Sequence, residues 1–138
     1  MAKLMFKILE DVKDSNNFYE VDQYELIPGN PDTLYFRFIS SKSQDSEDQI
    51  SDLRYIPASG STVTVTFDHI DSNKKIVRAA SLAFSADDRS IWKVSILATD
   101  TIALNSMNVV LTEGGVNKTI LPKSRLKSTP TGSERFFA

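Results

Sequence analysis

The chain has no cysteine and a single histidine, His69, among its 138 residues, and these two shortages exclude several kinds of chemistry. Without cysteine there is no disulfide, no thiolate nucleophile and no cysteine-ligated metal site. A transition-metal centre normally takes more nitrogen or sulfur ligands than one histidine can supply. His69 follows Asp68 at the end of a predicted strand, and we interpret it as a surface residue of a turn.

Long apolar runs and an excess of basic charge are also missing. No run approaches the roughly 18 residues that a membrane-spanning helix requires, and Lys7 interrupts the apolar residues at the N-terminus. We therefore expect no signal peptide and no membrane contact. The net charge of −2 gives no general attraction to nucleic acid, which we do not expect as a partner.

Catalytic motifs are absent from the sequence as well. No serine lies in a Gly-x-Ser-x-Gly sequence, and Glu113-Gly-Gly115 lacks the lysine and the helix of a phosphate-binding loop. Asp71-Ser-Asn73 begins like a calcium loop but lacks the central glycine and the later glutamate. The sequence thus predicts a protein that is not an enzyme, with no catalytic residue, no metal and no cofactor.

Alternating apolar residues are the strongest positive signal. Val63, Val65 and Phe67 alternate with threonines, and Trp92 lies in a second alternating segment, where we expect it in the core. About seven to nine such strands, separated by regular turn signals, predict an all-β fold. We expect an antiparallel, immunoglobulin-like β-sandwich, with a small barrel as the alternative.

The predicted domain covers residues 1–121, with an extended N-terminal arm and an extended basic C-terminal tail at residues 122–138. Residues 40–51 contain Ile50 as their only apolar side chain, so we expect an exposed loop there. Acids dominate residues 10–52 and bases dominate residues 118–138. These two regions attract each other within one chain or between copies, unless they are simply solvated.

The candidate interface residues come from three places: the basic tail with its terminal aromatic pair, the acidic loop, and the outward face of the predicted strand at residues 33–39. They are Lys123, Arg125, Lys127, Arg135, Phe136, Phe137, Asp45, Glu47, Asp48, Tyr35 and Arg37.

The order of segments resembles a known family. A strand opens with Pro28-Gly-Asn-Pro-Asp-Thr-Leu-Tyr-Phe-Arg37, and the segments at residues 52–67, 88–96 and 109–115 follow it. Across about residues 28–121 this succession is similar to the immunoglobulin-like β-sandwiches of tailed-bacteriophage virion proteins. Among these are the N-terminal domains of baseplate upper proteins and small head or tail accessory proteins. The resemblance implies a structural role without catalysis, and the missing fibre-length C-terminal region favours a small adaptor or decorating subunit.

The functional hypothesis is therefore a structural subunit of a tailed-phage virion, in the tail, baseplate, neck or capsid decoration. It would be made in the host cytoplasm and would contact other virion proteins and copies of itself. The alternative is a carbohydrate- or ligand-binding β-sandwich module for surface attachment, which requires exposed aromatic side chains on one sheet face or a metal-bearing loop.

Overall fold

A computed structural model describes residues 4–27, 29–40, 53–69, 75–85, 87–97 and 104–128. Within these residues the chain forms eleven strands and no helix, so there is no helix that could cross a membrane in this part. The strands are β1 (Leu4–Asp14), β2 (Asn17–Val21), β3 (Gln23–Leu26), β4 (Asp32–Ser40), β5 (Leu53–Tyr55), β6 (Thr62–His69), β7 (Lys75–Leu82), β8 (Ile91–Ile96), β9 (Leu104–Glu113), β10 (Val116–Pro122) and β11 (Arg125–Ser128).

Seven of these strands close into a barrel in the order β1-β10-β9-β6-β7-β8-β4. The closing ladder pairs β4 with β1, antiparallel, from Leu4–Ser40 to Leu9–Tyr35. The predicted all-β class is confirmed. The architecture differs from the predicted immunoglobulin-like sandwich, because the β1–β4 ladder joins the edges that would separate two packed sheets.

The alternation that predicts the strands also fills the barrel. Phe6, Phe36, Phe38 and Trp92 point inward, and their rings meet edge to face with centroids 5.8–6.3 Å apart. Trp92 is 4% exposed, which confirms the prediction that it is a core residue. Burying each of these side chains contributes roughly 2–3 kcal/mol to the free energy of folding.

A parallel ribbon of β3 and β11 closes one end of the barrel. Leu26 on β3 is fully buried, and Leu126 on β11 packs against the core. Ser124, just before β11, is buried, and its Oγ accepts a hydrogen bond from the Ile8 amide (2.9 Å) and donates one to the Val21 carbonyl (2.6 Å). The ribbon is therefore anchored to β1 and β2 by satisfied polar groups.

Both predicted arms differ from what is found. The tail was expected to begin at residue 122, yet Lys123 donates its amide to the Phe6 carbonyl (3.0 Å) and Arg125 to that of Asp22 (2.7 Å). Residues 122–128 thus belong to the folded domain, and residues 129–138 lie outside the described residues. The N-terminal strand is no arm either, because Leu4–Asp14 forms a wall of the barrel.

The β1–β2 hairpin turns back over the outside of the barrel. Its strand pairing shifts register between Glu10 and Asp14, and Asp11 has a positive φ of 52°. At the tip, the Ser15 carbonyl accepts a hydrogen bond from Arg54 Nη2 (3.1 Å), and the Ser15 side chain hydrogen-bonds Asp88. The hairpin therefore lies against the outer surface near β5 and the start of β8.

Candidate interaction surface

One outer wall of the barrel carries no charged side chain over most of its area. In strands β6, β7, β9 and β10 the core residues alternate with residues that face outward. We call this wall the uncharged face. Its residues are Thr62, Thr64, Thr66, Val77, Ala79, Asn108, Val110, Thr112, Asn117, Thr119 and Leu121.

Strand register brings these residues into one patch, although they come from four separate stretches of the chain. Thr64 is directly opposite Val110 on one side and Ala79 on the other, and Thr119 continues the row beyond Val110. Residues at the centre of the patch, such as Thr64 and Val110, are half-buried. At its margins Val77 is 57% exposed and Leu121 is 43% exposed.

A charged cluster marks the border of the uncharged face at the C-terminal end of β6. The Asp68 carboxylate accepts hydrogen bonds from Lys75 Nζ (2.9 Å), Ser106 Oγ (2.8 Å) and Asn108 Nδ2 (3.1 Å). These bonds, with that from Lys75 the strongest influence, hold the pKa of Asp68 below its ordinary value. Both charges at this border are thus neutralised by each other, and the patch stays free of an unbalanced field.

Arg37, a predicted interface residue, is engaged by its own chain. Its guanidinium forms an ion pair with Glu20 and lies 5.7 Å from the centroid of the Phe18 ring, both on the β1–β2 hairpin. The Arg37 side chain is only 13% exposed. Tyr35, two residues earlier, is half-buried on the same outer wall. The hairpin therefore covers the region where the sequence placed an open contact surface.

The other predicted interface residues are not brought together in the part of the chain that the structure describes. Arg125 is exposed on β11, and Lys123 is exposed close to Asp22. Lys127 lies on β11, but its side chain is outside the description. The following also lie outside the described residues: Asp45, Glu47, Asp48, Arg135, Phe136 and Phe137.

A second surface feature is a groove of about 460 Å³ beside the base of the β1–β2 hairpin. Tyr24 and Tyr35 line it together with Glu10 and Asp11. The Tyr24 hydroxyl donates to the Asp32 carboxylate (3.0 Å), and burial, followed by the Asp32 charge, raises the pKa of Tyr24. The groove thus has aromatic walls and carboxylate oxygens, which are the groups that bind polyhydroxy ligands.

No group of three or more histidine, aspartate and glutamate side chains that could hold a metal ion occurs among the described residues. No protein-family model matches the chain, and no curated protein matches it either.

The uncharged face was missed by sequence reasoning, although its signal is present in the sequence. Alternate residues from Thr62 to Thr66 and from Asn108 to Thr112 are all uncharged. Each strand alone predicts only a polar outer side. The absence of charge becomes a single surface only when the order β10-β9-β6-β7 is known.

Proposed function

We propose that the chain is a non-enzymatic structural subunit that acts through protein–protein contacts in a multi-copy assembly, the virion of a tailed phage. The observation that supports this proposal is the uncharged face. A quarter of the chain (25%) is charged, yet between the Asp68–Lys75 pair and the opposite end of the wall the outward positions of four adjacent strands hold threonine, asparagine, alanine, valine and leucine. The centres of protein interfaces are depleted of charged residues in the same way.

The opposite wall of the barrel provides the contrast. There Lys7 on β1 lies opposite Arg37 on β4. Lys7 forms an ion pair with Asp22 and Arg37 forms one with Glu20, so both charges are neutralised within the chain. The side chains of Lys7 and Arg37 are only 11% and 13% exposed, and the β1–β2 hairpin lies over this wall. The opposite wall is thus covered by a segment of its own chain, which leaves the uncharged face as the wall that is available to a neighbour.

The contact energy of such a surface is modest for one copy. Burying an exposed valine or leucine contributes about 1.5–3 kcal/mol when it is complete, and the uncharged face has Val77 and Leu121 at its margins. A multi-copy assembly adds such contacts together, since each subunit already held by one neighbour meets the next at high effective concentration. The virion context itself comes from the resemblance of the strand succession to phage virion proteins.

The proposal predicts that new charge on the uncharged face blocks assembly without unfolding the chain. We expect the double variant Thr62→Lys/Thr119→Lys to enter particles at least about tenfold less than the parent chain, because two charges would be desolvated at the contact. Occupancy of the tagged subunit in purified particles of the phage that encodes it measures this effect.

The matched control is Ser95→Lys, which adds a charge at an exposed position of β8. Thermal unfolding should be equal for the control and the double variant. Normal occupancy of the double variant would contradict a role for the uncharged face, and absence of the parent chain from the particles would contradict the virion proposal itself.

A ligand-binding module is the second candidate function, and the groove beside Tyr24 and Tyr35 favours it. If the groove binds sugars, glycan-array binding by the parent chain should be reduced at least about tenfold in Tyr35→Ala, since stacking on a ring supplies much of such affinity. Tyr19→Ala is the control, because Tyr19 is 69% exposed and does not line the groove. An array without any bound glycan counts against this candidate.

A further inference from the structure

We infer that the neighbour on the uncharged face is a second copy of this chain, which presents the same face across a two-fold axis. This inference rests on the proposed function and names the partner of its contact surface. In a two-fold contact each patch meets itself, so any unpaired charge near the axis would face its own copy. The residues of the uncharged face carry no charge, so a two-fold contact through this face brings no like charges together.

The net charge of the chain also favours a contact through the uncharged face. At −2, two copies repel weakly at long range, and acids such as Glu20 and Asp22 lie on the opposite wall or at the β2–β3 link. A contact through the uncharged face keeps those acids apart and brings together only hydroxyl, amide and apolar groups.

The size of the patch fits a weak pair rather than a permanent dimer. Four strands at about 4.8 Å spacing and about five residues at roughly 3.4 Å rise give a patch of roughly 330 Å² per copy. Two copies would bury on the order of 650 Å² in total, which is in the range of weak, transient contacts. Such a contact is reversible in dilute solution and becomes stable when a larger assembly holds both copies.

The position of the axis follows from the cross-strand pairs. Thr64 and Val110 lie opposite each other in the middle of the uncharged face, with β7 on one side and β10 on the other. A residue next to a two-fold axis lies near its own equivalent in the partner. Stacked sheets lie about 10 Å apart, a distance that a short bismaleimide can bridge.

Single-cysteine variants test this geometry, because the chain has no cysteine of its own. Thr64→Cys and Val110→Cys should each give a covalent dimer with a short bismaleimide, at a yield at least about tenfold above that of Ser95→Cys on the opposite wall. Adding Thr62→Lys/Thr119→Lys to either central variant should abolish the cross-link. Sedimentation of the parent chain should show a concentration-dependent dimer.

Each alternative outcome is distinguishable. If the central cysteines do not cross-link while Thr62→Lys/Thr119→Lys still lowers particle occupancy, the self-contact is overturned and the proposed function stands with another virion protein as the neighbour. If neither effect is seen, both are overturned. If a cross-link forms only through Lys75→Cys, the face-to-face contact is overturned and the copies pair through the edge of β7 instead. Residues 75–80 of β7 pair with β6 on one side, and the described residues include no strand paired with them on the other side.

Discussion

A chain that ends at Pro122 is expected to lose about 4–5 kcal/mol of its free energy of unfolding, whereas a chain that ends at Ser128 keeps it. The shorter chain lacks Ser124, whose Oγ satisfies the Ile8 amide and the Val21 carbonyl, and each lost buried bond costs about 1 kcal/mol. It also lacks β11 with Leu126, so Leu26 becomes exposed at the end of the barrel, which costs about 2–3 kcal/mol.

Urea denaturation measures this difference, and the chain that ends at Ser128 is the matched control. Ser124→Ala in the 138-residue chain should lose a smaller part of the free energy of unfolding, about 1–2 kcal/mol, because it removes the bonds while β11 remains. Equal urea midpoints for the two truncated chains would show that the β3–β11 ribbon does not stabilise the barrel. This result also decides which truncation can test the C-terminal tail for a role in assembly. Only a truncation after Ser128 removes tail residues without also removing part of the folded domain.

The parts of the fold that the sequence predicts are those encoded by neighbouring residues. Alternation over Thr62–His69 and Ile91–Ile96 correctly marks strands and places Trp92 in the core. Paired glycines also mark the tight turn at Glu113-Gly-Gly115, with positive φ angles at Gly114 (59°) and Gly115 (81°). The turn before β8 is local in the same way, because the Asp88 carboxylate accepts a hydrogen bond from the Ser90 amide (3.1 Å).

Pairings between distant segments could not be predicted in this way. β1 closes the barrel against β4, and β11 joins β3 across roughly a hundred residues of chain. β11 is a short polar strand, Arg125–Ser128, with one apolar residue packed on the core, so its local pattern resembles a loose tail. β11 takes its position because the barrel that the other strands form leaves an open end for it to cover.

The same division applies to the candidate site. Arg37 was predicted to make contacts because it faces outward from its strand, and the basic tail because of its charge. In the structure Arg37 is neutralised by Glu20 of the same chain. The sequence shows that a residue is charged, but it does not show which opposite charge the residue contacts. The uncharged face is the reverse case, since each of its threonines is unremarkable by itself, and the surface emerges from the strand order.

Glu113→Gln is expected to cost about 2 kcal/mol at pH 7, because Glu113 joins three groups at the other end of the barrel. Its carboxylate accepts hydrogen bonds from Lys118 Nζ (2.8 Å), the Tyr55 hydroxyl (2.7 Å) and the Ala58 amide (2.8 Å), and its side chain is only 12% exposed. The bond from Lys118, followed by those from Ala58 and Tyr55, lowers the pKa of Glu113 from 4.5 to about 2.

This lowered pKa determines how the contribution of Glu113 to the free energy of unfolding depends on pH. A carboxyl group whose pKa falls on folding stabilises the protein above its unfolded pKa and stops doing so as the pH falls through the folded value. The contribution of Glu113 is therefore complete above about pH 4.5 and is lost between pH 4.5 and about 2. Urea midpoints across this range should fall less steeply for Glu113→Gln than for the parent chain, while Asp87→Asn, at an exposed turn position, should follow the parent. Parallel curves of urea midpoint against pH for Glu113→Gln and the parent would mean that the ionised Glu113 side chain does not stabilise this end of the barrel.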